Sequence, residues 1–243
     1  MDSFASGGAE IAVEWFAAQG GGRGDVGDPA VLLLHGADGL TRAAGYHVAA
    51  TAMAAAGFAV AFVHYLDRTG HGRVAYDRMR QDFPLWSRTV RDALDWVAAR
   101  PGIDPARLGI VGVSLGAALA FDVAARDGRL QAVVDMFGPW LGELAQGYER
   151  LPPVLILPGE RDALVPVSHA WAIEGACWAR GTPCEVVVYP NQGHGLAGAA
   201  QLDAAGRMFD FLRRYLGVSA RVNPLQGDRT WRIAPVRNAG ICL

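Results

Sequence analysis

Short apolar runs of strand length recur along the chain at residues 30–34, 58–64, 108–112, 132–137, 154–158 and 185–190. Their hydrophobicity is near-continuous rather than alternating, which is what a strand covered on both faces requires, and hence a parallel sheet. Residues 11–16 form a weaker run, expected at an edge. Between the runs lie helical patterns. Asp82 can cap a segment carrying Trp86, Val90, Leu94 and Val97, whose spacing of four, four and three makes one apolar stripe. Pro101-Gly102 and Asp104-Pro105 then stop it. Residues 44–56, 115–126, 167–180 and 199–216 read in the same way. This βαβ rhythm predicts an α/β fold, a mostly parallel doubly wound sheet with helices on both faces. In such sheets ligands sit beyond the carboxyl ends of the strands, so the residues just after each strand carry most information.

Residues 1–217 read as one domain. Residues 20–28 are Gly-rich and expected to form a loop. Residues 218–243 follow the last helix with Pro224, Pro235 and few core residues, a tail that is packed on the surface, disordered, or an arm for a partner such as a second copy. The chain has 243 residues, 51% of them hydrophobic and 19% charged, which excludes disorder for its bulk and suffices for a core without disulfide or metal staples. The net charge of −2 lacks the basic footprint of a nucleic-acid binder, and every cation is Arg. Cys177, Cys184 and Cys242 show no CxxC spacing; the first two can pair only if the fold brings them together, and reduced thiols are expected. No apolar run reaches a membrane span, and residues 1–10 lack the basic and apolar parts of a secretory signal, so a soluble, cytoplasmic protein is expected.

The strongest chemical signal is Gly112-Val113-Ser114-Leu115-Gly116, set between a strand and a small-residue helix. A serine on a tight strand-to-helix turn needs small neighbours two positions either side, and the turn aims the helix N-terminus at its hydroxyl. A serine is a poor nucleophile without a base, itself oriented by a carboxylate. His194, in Asn191-Gln192-Gly193-His194-Gly195, is the best base of the six histidines, on a loop directly after a strand. Asp162, in Gly159-Glu160-Arg161-Asp162, is preferred as the acid over its rivals Glu160 and Asp135, because the order Ser114, Asp162, His194 is that of nucleophile, acid and base in this architecture. Oxyanion donors are expected from the amides of Leu115 and of Ala37, the latter in the loop His35-Gly36-Ala37-Asp38-Gly39-Leu40. His35 itself reads as structural. Tyr65 and Arg68, after the 58–64 run, and Trp140, after the 132–137 run, are candidate substrate contacts, with core packing the alternative for each. No metal or organic cofactor is implied.

Taken together, these segments resemble the α/β-hydrolase superfamily, and within it the dienelactone hydrolase family, over residues 11–216. The resemblance rests on HGADGL, Asp104-Pro105, GVSLG, GERDALVP and GHG in that order. It implies a hydrolase acting on a small ester or lactone through an acyl-enzyme. Three positions depart from the family pattern: Ser114 stands where a cysteine nucleophile is usual, Gly36 where an acidic residue tunes that thiol, and Gly198 where an arginine holds a substrate carboxylate. The first two changes are mutually consistent. The third points toward neutral esters unless Arg68, Arg78 or Arg80 substitutes. Acyl transfer or amide cleavage on the same residues, and a non-catalytic ligand-binding version of the fold, remain as alternatives.

Overall fold

The computed structural model describes residues 1–20, 27–145 and 147–218. The Gly-rich stretch at 21–26, the tail from 219 onward and Cys242 lie outside the described residues. Eight strands form one sheet: β1 (Asp2–Ser6), β2 (Ala9–Phe16), β3 (Asp28–Leu34), β4 (Ala59–Val63), β5 (Ile103–Val113), β6 (Leu130–Met136), β7 (Val154–Ile156) and β8 (Cys184–Val186). Their order is β1-β2-β4-β3-β5-β6-β7-β8; β1, β2 and β4 pair antiparallel in that sequence, and every pairing from β4 through β3 to β8 is parallel. The helices are α1 (Ala43–Ala55), α2 (Tyr76–Ala98), α3 (Leu115–Arg126), α4 (Gly142–Ala145), α5 (Ser168–Trp178) and α6 (Ala199–Leu216).

The near-continuous apolar strands have a direct physical cause. Ala30, Leu32 and Leu34 of β3 join a core with Trp86, Val90, Leu94 and Val97 of α2 and with Phe121 of α3. The intervening Val31 and Leu33 face the opposite core, built with Met53 of α1 and with Phe211 and Leu212 of α6. Both faces are dry, so neither parity of position can be polar. The doubly wound expectation therefore holds.

Four local readings need correction. Strand β1 was not expected, because DSFAS is mostly polar; only Phe4 and Ser6 are buried, and the strand is held by pairing with β2. Helix α2 starts at Tyr76, so Asp82 is not a cap but a buried interior residue facing Arg78 at 3.6 Å and His71 at 3.5 Å. Pro84 lies inside the same helix. The last strand is short, and pairing beyond it continues only as Val187 N–H to Ile156 C=O (2.9 Å), Tyr189 N–H to Pro158 C=O (2.9 Å) and a bridge from Tyr189 to Gly159. Finally, α4 has no counterpart in the sequence reading. Cys177 of α5 and Cys184 of β8 do come together, as free thiols that hydrogen-bond each other. Among the described residues no helix is long and apolar enough to cross a membrane.

Candidate active site

Ser114 occupies the junction where β5 passes without a spacer into α3. Its backbone sits at φ 53°, ψ −116°, a region that non-glycine residues rarely adopt, and its amide donates to the Met136 carbonyl at 2.8 Å. The flanking glycines are steric necessities. A Cβ on Gly112 would run into the backbone of Ala117, and one on Gly116 would lie 2.5 Å from the His35 carbonyl oxygen. Leu115, the first helical residue, has no intrahelical acceptor for its amide, which therefore remains available at the serine.

The loop after β3 lies against this turn: a Cβ on Gly36 would be 3.5 Å from Ser114 Cβ. Two tyrosines hold it there. Tyr46 Oη accepts the Gly36 amide at 3.0 Å, and Tyr65 Oη donates to the His35 carbonyl at 2.8 Å. His35 is buried between them, stacked on Tyr65 at 4.3 Å, with Nδ1 paired to the Gly36 carbonyl at 2.8 Å. Burial pushes its pKa down to about 4, so it stays neutral, as suits a structural residue. The Ala37 carbonyl accepts from the Val74 amide at 2.8 Å, which fixes the Ala37–Asp38 peptide beside it.

His194 reaches this point from beyond β8. Its Nε2 is 3.0 Å from Ser114 Oγ and its Nδ1 2.7 Å from Asp162 Oδ2. The Asp162 side chain is 1% exposed; its other oxygen accepts the amides of Leu164 and Val165, both at 2.9 Å. A carboxylate so held can present only one oxygen to the imidazole. The two loops touch closely: a Cβ on Gly159 would collide with the Gly193 carbonyl, and the Arg161 amide donates to the Gln192 carbonyl at 2.8 Å. Glu160, a rival acid in the sequence, instead accepts the Asn191 amide at 3.0 Å and braces the histidine loop from outside. Asp135, the other rival, is fully buried; its Oδ1 accepts the Gly138 amide at 2.6 Å and its Oδ2 has no hydrogen-bond partner among the described residues. Burial pushes its carboxyl up to about 7.

A cavity of about 550 Å³ opens beside Ser114. Its walls are mainly apolar, with Met79, Phe83 and Pro84 from α2, Trp140 and Leu141 opposite, and Leu164 from the loop that carries Asp162. Trp140 thus lines the cavity, its ring edge-on to Phe121 at 5.7 Å. Tyr65 and Arg68 do not. The chain after β4 folds into a 3-10 turn, Tyr65–Thr69, that buries the Tyr65 ring completely beneath the His35 loop. The same turn sends the Arg68 guanidinium to Gly7, in the hairpin between β1 and β2. Sequence reasoning missed Met79 and Phe83, although the α2 stripe continues upstream through them at spacings of four and three before Trp86. Arg78 pairs with Asp82, whereas Arg80 does reach the cavity rim. Among the described residues no group of three or more His, Cys, Asp or Glu side chains is arranged to hold a metal ion.

Comparison with known proteins agrees with this architecture. A Yersinia pestis protein named carboxymethylenebutenolidase is 32% identical over 141 residues, which cover 51% of this chain and 52% of that protein. The Bacillus subtilis protein YuxL, named an uncharacterized peptidase, is 25% identical over 209 residues, 72% of this chain and 32% of its own length. The chain thus spans about half the length of the first of these relatives, and less of the second. Among solved structures, the dienelactone hydrolase-like promiscuous phosphotriesterase P91, from metagenomic libraries, superposes with a TM-score of 0.76 at 21% identity, covering 88% of this chain and 96% of that one. A puromycin-hydrolyzing peptidase from Mycobacterium tuberculosis gives 0.72 at 19% identity, covering 88% and 38%. At such identities the structural likeness speaks for the fold alone. The sequence match is more specific: residues 17–216 fit the model of the dienelactone hydrolase family, and the chain belongs to that family.

Proposed function

We propose that the protein is a serine hydrolase that cleaves a carboxylic ester or lactone through an acyl-enzyme. The observation that carries this reading is the unbroken line from Ser114 Oγ through the His194 ring to Asp162. Ser114 attacks the carbonyl carbon while His194 Nε2 takes its proton. Asp162 keeps the other proton on Nδ1, so Nε2 is the free base, and stabilises the imidazolium that forms. The oxyanion of the tetrahedral intermediate is received by the amides of Leu115 and Ala37; one such donor is typically worth about 10²–10³ in rate. His194 then returns the proton to the leaving alcohol, and water repeats the cycle on the acyl-serine. Membership of the dienelactone hydrolase family and relatives named carboxymethylenebutenolidase support the ester or lactone bond as the target.

The peptidase likenesses support a second reading, amide cleavage on the same residues. Matched p-nitrophenyl ester and p-nitroanilide substrates separate the two. For the main reading, the test is fluorophosphonate labelling by intact mass beside p-nitrophenyl butyrate hydrolysis, on wild type and Ser114→Ala. Labelling and turnover should both vanish in the variant. Turnover that survives in folded Ser114→Ala would overturn the reading.

A further inference from the structure

The cavity beside Ser114 is lined mainly by apolar side chains. Arg80 of α2 and Glu143 of α4, both on that lining and both largely exposed, form a hydrogen-bonded ion pair. Both side chains are about four-fifths exposed, at 80% and 79%, so the pair adds little to stability. Its effect falls instead on what the cavity offers a ligand. Arg80 is the one arginine on the described lining. The other basic side chain there, His169, has Nδ1 engaged as acceptor of the Trp140 amide at 3.0 Å. With Arg80 already matched by Glu143, a carboxylate brought into the cavity would lose water without gaining a cation, and would meet the like charge of Glu143.

Resting on the serine-hydrolase reading above, we infer that Glu143 determines charge selectivity. By occupying Arg80 it restricts the cavity to esters whose seated portion is uncharged and apolar, and it turns away esters whose seated portion carries a carboxylate. The same two residues contain the opposite specificity. With Glu143 neutralised, the Arg80 guanidinium is free at the rim and becomes a ready-made partner for a substrate carboxylate. Glu143 is thus a specificity-determining residue that contributes nothing to the bond-making steps.

The experiment compares kcat/KM for p-nitrophenyl butyrate with that for mono-p-nitrophenyl glutarate, and for phenyl butyrate with 4-carboxyphenyl butyrate. The charge thus lies on the acyl side in one pair and the alcohol side in the other. Each ratio of anionic to neutral ester is measured in wild type, Glu143→Gln, Arg80→Gln and the double variant. Glu143→Gln should raise the ratio about fivefold in at least one pair, the scale of one unit charge acting at rim distance through water. Arg80→Gln should lower it, and the double variant should return it near wild type. The gain should shrink in 1 M NaCl, where the screening length is about 3 Å. A ratio in Glu143→Gln within twofold of wild type for both pairs, with neutral hydrolysis still abolished by Ser114→Ala, overturns the inference alone. Hydrolysis that persists in Ser114→Ala overturns the proposed function and this inference with it.

Discussion

Replacing Asp135 by Asn removes an ionisable group from a fully buried position in the sheet while keeping the shape and the acceptor for the Gly138 amide. Asp135 is the last residue but one of β6, is fully buried, and leaves Oδ2 without a partner among the described residues. Burial raises its carboxyl from 3.8 to about 7. Between those two values the folded chain holds a proton that the unfolded chain has released. The contribution is therefore fully present below about pH 3.8 and is lost as the pH rises through about 7. At 1.36 kcal/mol per unit, the folded state carries a penalty of ~2 kcal/mol at pH 5 and ~4 kcal/mol at pH 8. Asn carries neither. Asp135→Asn should accordingly raise the melting temperature at pH 8, and raise it less at pH 5. With 1 kcal/mol equivalent to roughly 2–4 °C in a chain of this size, the two increments should differ by about 5 °C or more. Thermal melts of both proteins at pH 5, 6, 7 and 8 read this directly, because every other titration cancels in the difference at each pH. An increment that is flat with pH, or larger at pH 5, would refute the reasoning.

Asp162→Asn should keep the loop amides of Leu164 and Val165 bound yet lose the proton arrangement on His194, lowering kcat for p-nitrophenyl butyrate by about 10³-fold or more with little change in the circular dichroism spectrum. Gly159→Ala should push the Gly193 carbonyl away and move His194 off Ser114. Activity should fall at least tenfold as judged by initial rates, while Gly175→Ala, on open surface within α5, should change neither rate nor melting temperature appreciably.

Much of this architecture is legible in residue order because Ser114 and His194 follow apolar strand runs with glycine close on both sides, and Asp162 follows another such run in a short polar loop. Gly112 and Gly116 mark the serine turn, where a side chain would strike neighbouring backbone, and Gly193 and Gly195 flank His194 in its loop, Gly195 at a φ of 149°. Helices α3 and α6 keep the boundaries their patterns indicate, with Arg126 followed by Asp127 and Leu216 by a left-handed Gly217. What stayed hidden depends on tertiary partners. DSFAS becomes a strand only because β2 offers an edge. Asp82 has the chemistry of a cap, but the helix is extended upstream by the stripe through Met79 and Phe83. The cavity lining draws on Met79, Trp140 and Leu164, whose apolar character is identical to that of core residues. Tyr65 illustrates the converse: a residue in the expected place after a strand whose ring is nonetheless absorbed beneath the loop it supports. The pairing of Arg80 with Glu143 joins residues 63 positions apart, and no local pattern encodes it.

The parts of the serine site are contributed in order by β5, β7 and the segment beyond β8, with 80 residues separating Ser114 from His194. Contacts so distant in sequence raise the contact order, which slows folding. Ser114 therefore meets the His194 imidazole only once residue 194 has been made and is free to cross the sheet edge. On the proposed reading, hydrolytic competence arrives only with the finished sheet, because a chain that ends short of residue 194 has no base to offer Ser114.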